Sequence, residues 1–137
     1  MNYHHVALNF DAKNKPEAIR DMREKTATAV KRGNRLIFQQ SKCNCNYHIV
    51  FNDEKLFPAN KVFNYEEWRK LENYKSILLE EEDYDDIGNY GWYRMHDQFT
   101  ITISCHFLKM KDVYDVLDNI PHSQRFDVYV VYEVDPQ

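Results

Sequence analysis

Residues 14–33, NKPEAIRDMREKTATAVKRG, carry their own start and stop signals and lie between two strand-like stretches, YHHVALNF (3–10) and RLIFQQ (35–40). A helix set between two strands makes a βαβ crossover, which is almost always right-handed and lays the helix on one face of a sheet. Asn14 offers an N-cap oxygen, Glu17 stands three residues later in the capping-box position, and Pro16 falls in the first turn. Ile19, Met22, Thr26, Ala29 and Val30 recur at helical spacing and predict the buried stripe. Lys31 and Arg32 complement the negative end of the helix dipole, and Gly33 supplies the stop.

The rest of the chain extends this pattern. YHIVFN (47–52) is strand-like and, with the polar stretch Ser41–Asn46, predicts a hairpin with 35–40. A second helix is expected from near Asn64, with Glu67 three residues on and Trp68, Leu71, Tyr74, Ile77 and Leu78 on its apolar side. In FTITISCHF (99–107), Phe99, Ile101, Ile103, Cys105 and Phe107 alternate with Thr100, Thr102, Ser104 and His106, which predicts a strand with one dry and one wet face. A third helix over about Lys109 to Ile120, closed by Pro121, would bury Met110, Val113, Leu117 and Ile120. A last strand is read over RFDVYVVYEV (125–134). The order β-α-β-β-α-β-α-β predicts a single α+β domain over residues 1–137. Its expected form is one antiparallel or mixed sheet of about five strands with helices on one face, ferredoxin-like with βαβ units at both ends. A helix and a long loop over about 64–97 are inserted into it.

Composition removes several function classes. Three Gly leave nothing from which to build a Gly-rich nucleotide cradle, and no nucleophile elbow or paired-His motif occurs, so neither cofactor nor metal is expected. No apolar run reaches the length of a membrane span, and the first residues, MNYHHVALNFDAKNK, lack the pattern of a signal peptide. A reducing cytoplasm is therefore the expected location. Three cysteines cannot make a complete disulfide framework, and the single residue between Cys43 and Cys45 is a poor spacing for a bridge.

The stretch SKCNCNYHIV (41–50) raises the question of a metal site. If the strand over 47–52 runs back through it, Cys43 and Cys45 face the core while His48 faces the opposite way, and the three cannot converge on one ion. Buried structural thiols are the expectation.

Three functional readings follow from the remaining residues. Charge is polarised: nine Lys/Arg stand against four Asp/Glu over residues 1–50, and nine against eighteen over 51–137. Six carboxylates fall within residues 80–86, directly before the aromatic stretch DYDDIGNYGWYRMHD (83–97). Tyr90, Trp92, Tyr93, Arg94 and Met95 are residue types enriched at interface hot spots, and Glu81, Glu82, Asp83, Asp85 and Asp86 beside them would steer a basic partner. The leading expectation is a small non-enzymatic protein that occludes another protein, the format of inhibitors, immunity proteins, antitoxins and phage or mobile-element countermeasures. Its partner would carry a basic surface, as a nucleic-acid-handling enzyme does. The second reading is a single-stranded nucleic-acid binder using Arg20, Lys31, Arg32 and Arg35, with His48, His106 and Tyr129 offered for base stacking. A sequence pI near 5.8 and the interspersed Glu17, Asp21 and Glu24 weigh against it. The third is a small hydrolase or nuclease centred on His106, with Asp127 or Tyr129 supplied by a neighbouring strand.

Overall fold

The computed structural model describes residues 5–9 and 14–131. Strand β1 (His5–Asn9), helix α1 (Lys15–Arg32) and strand β2 (Arg35–Ser41) form the expected crossover, with β1 and β2 parallel. Asn14 accepts from the Glu17 amide at 3.0 Å, and Gly33 closes the helix at φ 71°, donating its N–H to Ala29 O. Ile19, Met22, Thr26, Ala29 and Val30 are all buried, and Ala18, Arg23 and Ala27 join them.

A long excursion follows before strand β3 (Thr100–Cys105), which lies parallel to β2 and completes a sheet of order β1-β2-β3. The alternation read from its sequence holds: Thr100, Thr102 and Ser104 are exposed while Ile101, Ile103 and Cys105 are half-buried. The architecture is α+β with a small three-stranded parallel sheet and several helices; among the described residues the five-stranded, antiparallel or mixed ferredoxin-like sheet does not form.

Three departures make up the difference, the first two traceable to local preferences. First, residues 47–51 form a turn instead of a strand. The Asn46 side chain accepts from the amides of His48 and Ile49, and Phe51 N donates to Asn46 O, so the backbone satisfies itself locally. Tyr47 and Phe51 then pack ring to ring four residues apart, at 6.2 Å, while Ile49 is exposed. Second, after a short helix α2 (Ala59–Val62), the helix expected from Asn64 breaks into short turns: α3 (Tyr65–Trp68), α4 (Leu71–Tyr74) and a 3-10 turn at Lys75–Ile77. Lys70 is extended at ψ 133°, and the Asn73 side chain donates from Nδ2 to Glu67 O at 2.5 Å, taking a carbonyl that a continuous helix would use. The expected cap survives, since Asn64 accepts from the Glu67 amide. Third, residues 127–131 have no sheet partner among the described residues, and positions 132–134 of the expected last strand lie outside them. The helix before it, α5 (Asp112–Asp118), is shorter than expected; Met110 lies outside it and exposed, and Val113 and Leu117 are only half-buried.

The core forms where α1 and the excursion meet the dry face of the sheet. Met22, Ala29 and Val30 pack with Leu8, Leu36 and Phe38, and a ring cluster of Phe38, Tyr47, Phe57 and Phe63 extends it, with centroids 5.0 Å apart for Tyr47–Phe63 and 5.4 Å for Phe38–Phe63. Such edge-to-face and tilted pairs add about 0.5–1.5 kcal/mol each beyond the area they bury.

Candidate functional site

The acidic run and the aromatic loop do not project as one free tail; they lie along α1. Arg23, buried in the middle of the helix, donates to Glu82 Oε1 at 2.6 Å and to Ile77 O at 3.2 Å. One turn on, the Tyr93 hydroxyl donates to Ala27 O. Near the end of the helix, Lys31 lies 3.7 Å from Asp86, and His96 N donates to Val30 O at 2.9 Å. Positions 23, 27, 30 and 31 share one side of a helix, so the whole segment is tied to a single face. The basic first third of the chain and the acidic middle thus partly neutralise each other within the molecule.

This sorts the expected contact residues into two sets. Tyr93 is 2% exposed, with Tyr74 packed against it at 6.1 Å, and burial together with the nearby Glu82 carboxylate pushes its phenol well above the ordinary range. Met95 is half-buried, packs against the core, and its Sδ takes a contact from Arg69. Both belong to the interior. By contrast, Ile87, Tyr90 and Trp92 are 86%, 59% and 61% exposed. Arg94 is exposed too and lays its guanidinium over the Trp92 ring at 5.0 Å while donating to Gly91 O and Tyr93 O.

The carboxylates divide in the same way. Glu82 is held by Arg23 and also accepts from the Leu79 amide; Asp83 is 2.9 Å from Lys75 and is mostly covered. Asp85 organises the loop, accepting from the amides of Ile87 and Asn89 and from the Asn89 side chain at 2.7 Å. Those bonds, led by the Asn89 amide, hold its carboxyl below the usual range. Glu80, Glu81 and Asp86 remain exposed.

The loop between Tyr84 and Tyr90 is therefore a defined structure. The two tyrosines form an antiparallel bridge, their rings meet edge to face at 5.4 Å, Asp85 fills the turn inside, and Gly88 and Gly91 take positive φ at its bends. A shallow cleft of about 290 Å³ lies between this loop and α1, lined by Thr28, Lys31, Arg32, Glu81, Tyr84 and Asp86 among others.

The residues of the other two readings are not brought together in the same manner. Arg20 and Arg35 are exposed, whereas Lys31 and Arg32 line the cleft opposite Glu81 and Asp86. His106 is exposed, its amide donating to Ser41 O at 2.7 Å. Asp127 and Tyr129 are also exposed, on a segment whose described residues make no ladder with β3.

The 41–50 stretch departs from the parity argument. A turn, not a strand, carries it, so Cys45 is buried and Cys43 exposed, although they are two residues apart. Their Sγ atoms are 3.4 Å apart. The His48 ring turns away to the Asp118 carbonyl at 2.9 Å, and no group of three or more His, Cys, Asp or Glu among the described residues could hold a metal ion.

No protein-family model, curated protein or solved structure matches the chain.

Proposed function

We propose that the protein binds another protein and acts by occluding it, with Ile87, Tyr90, Trp92 and Arg94 as the contact and the exposed carboxylates Glu80, Glu81 and Asp86 as its charged rim. One observation carries the reading: three large apolar side chains face solvent on a loop whose backbone is fixed from beneath by Asp85 and Tyr93. A loop held in place loses little further entropy on binding, and Trp, Tyr and Arg are the residues that most often dominate interface energetics. The rim selects a partner with a basic surface surrounding a site that accepts aromatic rings, in keeping with an enzyme that handles nucleic acid. A reducing cytoplasm is the proposed setting, and among the described residues no helix is long and apolar enough to cross a membrane.

The nucleic-acid reading has less behind it, because the acidic segment folds over the C-terminal half of the basic helix. Low-salt titration with single-stranded RNA and DNA separates the two: saturable, salt-sensitive binding weakened by changing Arg20, Arg32 and Arg35 together would favour nucleic acid. The deciding experiment is affinity capture from the native host with wild type and a Tyr90→Ala/Trp92→Ala variant, followed by reconstitution with the purified partner. Loss of binding at unchanged thermal stability supports occlusion through this loop; equal binding by both proteins refutes it.

A further inference from the structure

The loop between β2 and the aromatic core holds a second chemical feature. Cys45 is buried and Cys43, 3.4 Å away sulfur to sulfur, is exposed. Behind Cys45 stands a polar chain inside the core. Gln40 Nε2 donates to the Tyr47 hydroxyl at 2.8 Å, and that hydroxyl in turn shares a hydrogen bond with the Cys45 thiol. Gln40, Cys45 and Tyr47 are all essentially inaccessible, so this phenol is held in a dry site. Burial first, and then the neighbouring Cys45, push the Tyr47 phenol well above its ordinary range, so it stays protonated and remains a donor at any physiological pH.

Two thiols within contact distance, one reachable from solvent and one backed by a fixed donor, match the division of labour in thiol–disulfide exchange. The reachable sulfur attacks, and the sheltered one resolves. We propose that Cys43 and Cys45 form a thiol–disulfide exchange site that takes a low-molecular-weight disulfide of the glutathione class. The Cys43 thiolate attacks one sulfur of the disulfide, forming a mixed disulfide and releasing one thiol, which takes up the proton that Cys43 lost. Cys45, its developing thiolate stabilised by the Tyr47 hydroxyl, then attacks Cys43 Sγ, closes the Cys43–Cys45 bond and releases the second thiol. The protein dithiol is oxidised by two electrons, and the small disulfide is reduced to two thiols.

A ring spanning one intervening residue is strained, which places the couple toward the oxidising, easily reduced end of protein disulfides. Closure also acts on a neighbour. Asn44, the residue inside the ring, accepts from the Asn119 side chain at 2.9 Å, and Tyr47 N donates to Asn119 O, so the loop touches the C-terminal end of α5. Cys105 is the natural competitor, half-buried on β3 beside Ser41, with burial raising its thiol.

The test uses the full chain in glutathione redox buffers, quenched with acid and alkylated, with peptide mass spectrometry as the readout. The expected result is a Cys43–Cys45 bond in wild type, with Cys105 alkylated, and a shifted Asn119 amide resonance in the oxidised form. The Cys45→Ser variant should accumulate a glutathione adduct on Cys43, because the resolving sulfur is gone. Tyr47→Phe keeps the ring packing and should slow resolution roughly tenfold, the loss of one hydrogen bond to a charged group, without slowing the first attack. A lasting glutathione adduct on wild-type Cys43, a bond through Cys105, or no Cys43–Cys45 bond even when oxidised glutathione is in large excess and no reduced glutathione is added, would each overturn the assignment.

Discussion

Arg23 of α1 and Glu82 of the acidic turn meet at 2.6 Å although 59 residues separate them, and the guanidinium is almost wholly buried. The pair shows that the carboxylate run is in part structural, joining the helix to the excursion that carries the exposed loop. Breaking it from one side leaves a buried charge without its partner, which costs about 3–5 kcal/mol when both groups are fully buried. Glu82 retains some solvent contact, so Glu82→Gln is expected to cost about 1–3 kcal/mol in urea denaturation. Glu81→Gln, at an exposed position, should stay within about 0.5 kcal/mol of wild type. Equal effects at the two positions would remove the structural role given to Glu82.

Trp92 and Tyr93 are neighbours in sequence and opposites in burial. Tyr93→Ala empties a core position beside Tyr74 and Ala27 and is expected to cost about 3–5 kcal/mol, as large aromatic truncations do. Tyr93→Phe removes only the bond to Ala27 O, so about 1 kcal/mol is expected. Trp92→Ala should leave the melting temperature within a few degrees of wild type. Calorimetry of the three variants checks the split directly.

That contrast also shows what the sequence could and could not convey. Helix α1 was legible to the residue because its cap at Asn14, its apolar stripe and its stop at Gly33 are all local. The alternation in β3 was legible for the same reason. Two of the elements that differ were hidden by short-range competitors: the Asn46 side chain turns the chain at 47–51, and the Asn73 side chain binds Glu67 O where a helix would continue. The 83–97 segment was identifiable as unusual, but Tyr90, Trp92, Tyr93, Arg94 and Met95 looked alike. Relations far along the chain, of Tyr93 with Ala27 across 66 residues and of Met95 with Arg69 across 26, sort interior from surface. The closeness of Cys43 and Cys45 was hidden by the assumption of an extended backbone, since a turn can bring together two side chains that a strand would hold apart.

The loop that presents Ile87 is held by the ionised Asp85, so its order should depend on pH in a definite direction. Bonds from Asn89 hold the folded carboxyl below its ordinary value. A depressed folded-state pKa gives a contribution that is complete above the unfolded value and disappears as pH falls through the folded one. The loop should therefore be intact at neutral pH and loosen only in acid, below the usual aspartate range. Carbon-detected NMR titration of the Asp85 carboxyl, followed with the Asn89 amide, reads this out. A common midpoint at or above the ordinary aspartate value would contradict it, and Asp85→Asn should abolish the transition at Asn89.

Gly33 ends α1 at φ 71°, where a β-carbon is disfavoured, and the space such a carbon would enter is filled by the His96 ring. His96 is itself placed by its amide bond to Val30 O and by the Gln98 amide donating to its Nδ1 at 3.1 Å. Gly33→Ala therefore meets two penalties, one from the backbone and one from the ring. The left-handed conformation alone costs a residue with a β-carbon about 1–2 kcal/mol, and displacement of the ring adds to it. Removing the ring with His96→Ala should return the second part and leave the first. In a double-mutant cycle the two changes should then be coupled, with Gly33→Ala less damaging by about 1 kcal/mol in the His96→Ala background. Strict additivity by chemical denaturation would mean that the ring yields freely, and that the end of the 83–97 segment is not locked against the helix stop.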